Sequence, residues 1–73
     1  MVSGAVRIDA RGMRCPWPAV RLARALRDGA RKIEVLADDP QAPTEIATVA
    51  ASADATVEII LDEFYRTFVV TCR

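Results

Sequence analysis

AVRIDARGMRCPWPAVRLARALRDG, residues 5–29, is the stretch that decides the fold. Its first six residues alternate. Val6 and Ile8 fall on one side, Arg7 and Asp9 on the other, which is the period-two pattern of a half-buried strand. After Pro16 the period changes. Ala19, Leu22, Ala23 and Leu26 recur at helical spacing and form an apolar stripe, while Arg21, Arg24 and Arg27 lie off it. Gly29 stands where a helix C-terminus takes a left-handed residue. Between strand and helix, Arg11 and Gly12 make a turn leading to Cys15. Residues 31–38 (RKIEVLAD) alternate again, with Ile33, Val35 and Ala37 predicted to face inward.

The same alternation continues outward from this unit. Asp39-Pro40 signals a second helix start, because Asp caps helices and Pro suits a first turn. Pro43 conflicts with that start, since it would remove the first ordinary helical hydrogen bond. The helix is therefore expected to begin irregularly and to become regular after Thr44, with Ile46, Val49, Ala50 and Ala53 as its stripe. Residues 56–62 (TVEIILD) form a third strand, with Val57, Ile59 and Leu61 on one face. A turn near Glu63 and Phe64 leads to a last strand over 66–72 (RTFVVTC), with Phe68, Val70 and Cys72 facing inward. The order β-α-β-α-β-β, with one apolar face per strand, predicts an α+β two-layer sandwich. Right-handed crossovers put both helices on one face of the sheet.

The chain has 73 residues and reads as a single domain, residues 1–73. A domain this small buries only about 60% of its unfolded surface, so its chemistry is expected at the surface rather than in an enclosed cavern. Ten Lys plus Arg balance ten Asp plus Glu, so the overall field used by nucleic-acid binders is missing. There are two cysteines and no histidine. Small secreted domains stapled by disulfides carry more cysteines. The opening MVSGAVRIDA holds no apolar run of the signal-peptide kind, and no stretch approaches membrane-spanning length. The expectation is a cytoplasmic protein with free thiols and no membrane partner.

Chemistry concentrates in Gly12-Met13-Arg14-Cys15-Pro16-Trp17-Pro18. Cys15 is expected at the helix N-cap, with Pro16 at the first helical position and Pro18 still inside the first turn, where backbone N–H groups lack helical partners. Together with Gly12, the prolines fix the loop and hold the sulfur in place. A helix N-terminus contributes roughly 0.3–1 kcal/mol to an anion. That falls short of one pKa unit, so the dipole alone leaves the thiol mostly protonated at neutral pH. Arg14, and secondarily Arg11, are the candidates to favour the thiolate.

Several chemistries lack their parts. Without histidine there is no Cys-His dyad. Two cysteines far apart in sequence make a poor zinc site. No C-x-x-C exists for dithiol redox work, and three glycines supply no phosphate loop. One positioned thiol suits a reaction whose remaining machinery comes from a partner. Sulfur transfer, Cys-to-Cys exchange and redox sensing all meet that description.

On these residues the chain resembles the TusA/SirA-like family of small sulfur carriers, over Ile8 to about Val70. The family's Cys-Pro-x-Pro motif, with its preceding Gly, is matched by Gly12-Met13-Arg14-Cys15-Pro16-Trp17-Pro18, and the Asp before it by Asp9. The second signature is matched by Asp38-Asp39-Pro40 and Glu45-Ile46, and the start of the last strand by Tyr65-Arg66. Three positions depart from the family pattern. Trp17 fills the motif's variable slot, Thr44-Glu45 replaces the usual residue-Asp pair, and Ala53-Asp54 stands where many members have Gly-His.

The resemblance implies a four-stranded mixed sheet with two helices on one face. It implies that Cys15 accepts sulfane sulfur as a persulfide from a cysteine desulfurase or a rhodanese-like donor, and relays it to an acceptor protein. Relatives serve tRNA thiolation, molybdenum-cofactor synthesis or sulfur oxidation. The protein would be a sulfurtransferase-type carrier rather than a stand-alone enzyme, a single copy needing neither metal nor organic cofactor on this chain.

Other readings stand beside this one. Cys15 could belong to a thiol-based regulatory or interaction module that delivers no sulfur. An RNA-binding module has only the Arg21/Arg24/Arg27 set in its favour, against neutral charge and few aromatics. That set is most simply a solvated helix face; its sharper reading is a docking surface for an acidic partner. Trp17 either projects as a partner anchor or lies against the sheet edge. Cys72 reads as packing on the Phe68/Val70 face, and the alternative is a resolving thiol for Cys15.

Overall fold

The computed structural model describes residues 5–73. Six elements follow the predicted order: β1 (Ala5–Asp9), α1 (Trp17–Arg27), β2 (Lys32–Ala37), α2 (Ala42–Ser52), β3 (Ala55–Leu61) and β4 (Arg66–Cys72). The sheet order is β1-β2-β4-β3. β1 and β2 are parallel, and β4 lies antiparallel between β2 and β3. Both crossovers, β1-α1-β2 and β2-α2-β3, step in the same direction across this order. Crossovers of one hand therefore stack both helices on the same face. The result is an α+β sandwich with a four-stranded mixed sheet under two helices.

Register explains the core. Ile8 pairs with Val35, Val35 with Phe68, Ile33 with Val70, and Val70 with Val57. Partners across a ladder point to the same side, so these side chains form one apolar floor. Leu22 of α1 and Ile46 and Ala50 of α2 close over it, all fully buried.

α1 buries Pro18, Ala19 and Leu22 and half-buries Ala25 and Leu26, a spacing of i, i+1, i+4, i+7, i+8. Ala23, expected in that stripe, is exposed instead, at the rim of a groove whose far wall is Val49 and Ala53 of α2. The helix ends as expected at Gly29, which has φ +98. Gly29 N–H donates to Leu26 O at 3.1 Å and Ala30 N–H to Ala25 O at 3.1 Å, the paired bonds of a Schellman motif.

The start of α2 departs from expectation. Asp39 is not its cap. The Asp39 carboxylate accepts from Gln41 N–H at 2.9 Å and its carbonyl from Ala42 N–H at 3.0 Å, closing a turn ahead of the helix. Gln41 is the N-cap and Pro43 falls in the first turn, where a missing N–H costs nothing. The later start removes the conflict that Pro43 posed. At the other end Ala53 is the C-cap and is exposed, outside the expected stripe.

Two apolar rows break the simple rule of one buried and one solvated face. Leu36 is buried although it lies on the face away from the helices, between Asp9 and Thr67 in register. On β3, Val57 packs on the core as expected, but Ile59 is 47% and Leu61 74% exposed. They share the helix-side face with Phe68, yet on this outer strand no helix covers them. No helix among the described residues is long and apolar enough to cross a membrane.

Candidate functional site

Parallel strands β1 and β2 end side by side, so the loops that follow them meet at one end of the sandwich. The β3–β4 hairpin closes at that same end, because β3 runs parallel to β2. Three loops therefore gather there: Ala10–Pro16, Asp38–Gln41 and Asp62–Tyr65.

Backbone bonds hold the first loop against the second. Ala10 N–H donates to Leu36 O at 2.8 Å, prolonging the β1–β2 ladder, and Met13 N–H returns to Ala10 O at 3.1 Å. Gly12 takes φ +83, a left-handed conformation that costs residues with a Cβ roughly 1–2 kcal/mol. In that conformation its N–H donates to the Asp38 carboxylate at 2.9 Å. Gly12 N–H is thus tied to Asp38, a partner that the sequence alone did not name.

Cys15 sits in the next turn, where Trp17 N–H donates to Arg14 O at 2.9 Å. The Cys15–Pro16 peptide is cis. The helix starts one residue later than expected. Pro16, not Cys15, is the N-cap, and its carbonyl accepts from Val20 N–H at 3.0 Å. Pro18 lies in the first helical turn and is buried, pinning the start of α1 to the core. The Cys15 thiol is half-buried, and Trp17 beside it is 58% exposed, projecting as the anchor reading requires.

The charges around the sulfur differ from the expected pattern. Arg11 is committed elsewhere. It donates to Asp9 from Nε at 2.8 Å and from Nη2 at 2.7 Å, and its guanidinium lies 5.0 Å from the Tyr65 ring centroid. These bonds hold the Asp9 carboxyl down at about 2. The groups that act on the Cys15 thiol push its pKa up: desolvation first, then the Glu45 carboxylate, then Asp39. Arg14, named with Arg11 as a candidate to favour the thiolate, is exposed, and the groups that shift the Cys15 thiol raise its pKa.

Sequence reasoning had quoted Asp39 and Glu45 but given them no place beside the sulfur. Their signal was topological: a parallel β1–β2 pair with a crossover brings the start of α2 next to the start of α1. A depression of about 330 Å³ adjoins the loop, walled by Asp38 and by Leu61–Arg66 of the hairpin, but Cys15 is not in its wall. The two thiols do not meet. Cys72 lies at the far end of β4, half-buried, with Sγ donating to Ala30 O at 3.5 Å. Seven residues of strand separate the ends, about 20 Å at 3.3 Å per residue. A disulfide needs Cα atoms within about 7 Å, so Cys72 cannot resolve Cys15 within one folded chain.

A family model described as Sulfurtransferase TusA matches residues 6–71. The chain belongs to the TusA sulfurtransferase family. Among solved structures, the SirA-like protein of Desulfitobacterium hafniense superposes on this TusA-family chain with a TM-score of 0.80. That alignment covers 90% of this chain and 95% of the other at 24% identity, a likeness of fold. No curated protein matches. Membership in the TusA family supports a sulfur-carrier role, and TusA proteins act in sulfur relay between donors and acceptors.

Proposed function

We propose that Cys15 carries sulfane sulfur as a persulfide. The Cys15 sulfur, as thiolate, attacks the outer sulfur of a donor persulfide. A new S–S bond forms as the donor's S–S bond breaks, and the donor cysteine leaves as a thiolate. Cys15 is then Cys–S–SH. An acceptor thiolate next attacks the terminal sulfur, and the Cys15 thiolate is released. No net oxidation or reduction occurs in either step, and neither needs a metal or organic cofactor on this chain.

The observation that carries this reading is the setting of Cys15: a half-buried sulfur at the open end of the sandwich, in a turn fixed by Gly12, Pro16 and Pro18. No acid–base apparatus of its own favours the thiolate. That fits a carrier whose partners complete the chemistry. Trp17 supplies an exposed contact for such partners, and Arg14 a charged one. A cysteine desulfurase or a rhodanese-like protein is the donor class, and the acceptor is a relay protein of tRNA thiolation, molybdenum-cofactor synthesis or sulfur oxidation. Two free thiols suit a reducing cytoplasm.

Incubation with a cysteine desulfurase, cysteine and labelled sulfur tests the proposal. Intact mass should show one added sulfur on the wild type and none on Cys15→Ser. Equal labelling of the two proteins would reject it.

A further inference from the structure

We propose that the tip of the β3–β4 hairpin is the docking surface for the sulfur donor, and that it receives a donor segment in which a Lys or Arg side chain is flanked by apolar ones. The inference rests on the carrier reading of Cys15. The tip stands at the Cys15 end of the sandwich. Phe64 is 81% and Leu61 74% exposed, the two most exposed of the large apolar side chains among the described residues. Apolar neighbours left in water at one tip mark a contact surface. Beside them lies the depression of about 330 Å³ walled by Asp38 and by Leu61–Arg66. That volume is at the small end for a ligand site and suits one long side chain. Asp38 joins the depression to the site, since its carboxylate also accepts the Gly12 N–H of the Cys15 loop at 2.9 Å. A partner seated on the tip is thereby set against the loop that carries the sulfur.

Local charge selects the partner's chemistry. Ten acidic and ten basic residues cancel over the whole chain, but the fold separates them. The Cys15 end gathers Asp38, Asp39, Glu45, Asp62 and Glu63 against Arg14 and Arg66, while Arg11 is held by Asp9. At the opposite end Arg24, Arg27, Arg31, Lys32 and Arg73 outnumber Asp28 and Asp54. No ion pair among the described residues takes up Asp38, Asp62 or Glu63. A neutral protein so arranged turns its acidic end toward a basic surface as the two approach. A second copy meeting like end to like end would set Asp62 and Glu63 against carboxylates, which is unfavourable. Meeting head to tail, it would build an open chain rather than a closed pair. The step to be performed selects the donor. In loading, Cys15 must attack as a thiolate, and the Glu45 and Asp39 carboxylates oppose that form. Cationic groups brought by the donor offset them. In delivery the attacking thiolate belongs to the acceptor.

Loading kinetics of the full chain test the surface. The donor used is the cysteine desulfurase or rhodanese-like protein of the same organism that labels wild-type Cys15, and intact mass follows the one-sulfur adduct with time. If neither donor labels the wild type, the carrier reading fails and this inference with it. With the donor below saturation, Phe64→Ser should load at least about fivefold more slowly, the loss of an interface anchor. Glu63→Lys should be slowed at low salt and approach the wild-type rate at high salt, where the charge is screened. Asp28→Lys makes the same change in net charge at the opposite end and should load as wild type. All three variants should reach the wild-type rate once the donor saturates. Wild-type loading by Phe64→Ser and Glu63→Lys below saturation overturns the inference and leaves the carrier reading standing. So does equal slowing in Asp28→Lys, or slowing that persists at saturating donor. Wild-type loading with slowed transfer to the acceptor assigns the tip to the acceptor and rejects the donor. Self-association of the wild type that Phe64→Ser abolishes assigns it to a second copy and rejects the donor equally.

Discussion

Gly12→Ala separates the backbone's part in placing Cys15 from any crowding effect. At Gly12 an added Cβ would meet no atom within 4 Å, so the cost of alanine is conformational alone. Holding an L-residue at φ +83 costs roughly 1–2 kcal/mol. For a domain of this length, each kcal/mol moves the thermal midpoint by about 4–8 °C. Thermal unfolding followed by circular dichroism should therefore show a fall of about 4–16 °C. If the loop relaxes instead, Gly12 N–H loses the Asp38 carboxylate and the stability loss becomes smaller. Sulfur loading on Cys15 then falls, because the turn that presents the sulfur shifts. A d-alanine at the same position, introduced by chemical synthesis, favours positive φ and should unfold at or above the wild-type temperature. Wild-type stability together with wild-type loading in the L-alanine protein would refute this account. So would a d-alanine protein no more stable than the L-alanine one.

Two further outcomes follow from local geometry. Asp54 holds φ 56 just past the end of α2, and its ion pair with Arg73 is long, at 3.9 Å, and exposed. Asp54→Gly should therefore stabilise the fold by up to about 1 kcal/mol, read as a higher urea midpoint at unchanged slope. Glu45→Gln removes a carboxylate that disfavours the Cys15 thiolate, so the thiol pKa should fall. At neutral pH the variant should alkylate with iodoacetamide faster than wild type, the gap closing as pH rises through the wild-type thiol pKa; equal rates at all pH would contradict the assignment.

The sequence showed element order and core well because those depend on local period. Ile33, Val35, Phe68 and Val70 alternate on their strands, and all four are fully buried. What it missed depends on neighbours distant in the chain. Period placed Val57, Ile59 and Leu61 on one face, and the register keeps them there, but burial also requires an overlying helix, which β3 has only near its start. Leu36 shows the reverse: it sits on the wrong face for its pattern and is buried nonetheless. Helix starts shifted for a third reason. A backbone turn closed by Trp17 N–H precedes α1, and another closed by Ala42 N–H precedes α2, features set by the loops rather than by the apolar period. In the site, Cys15, Gly12 and the prolines were visible in one contiguous motif. Asp38, Asp39 and Glu45 came to it through the parallel pairing of β1 with β2, a non-local fact.

That pairing also bears on how a carrier of this kind works. The crossover that brings α2 beside α1 sets carboxylates against the sulfur, and Arg11 is held by Asp9. In the free protein these groups push the thiol pKa up, away from the reactive thiolate. Reaction requires that the proton leave, and this chain has no histidine to take it. A donor that presents a base or a cation to the Glu45 side of the sulfur supplies what the fold withholds. An attacking thiol of high intrinsic basicity also remains strongly nucleophilic once ionised, because nucleophilicity rises with basicity.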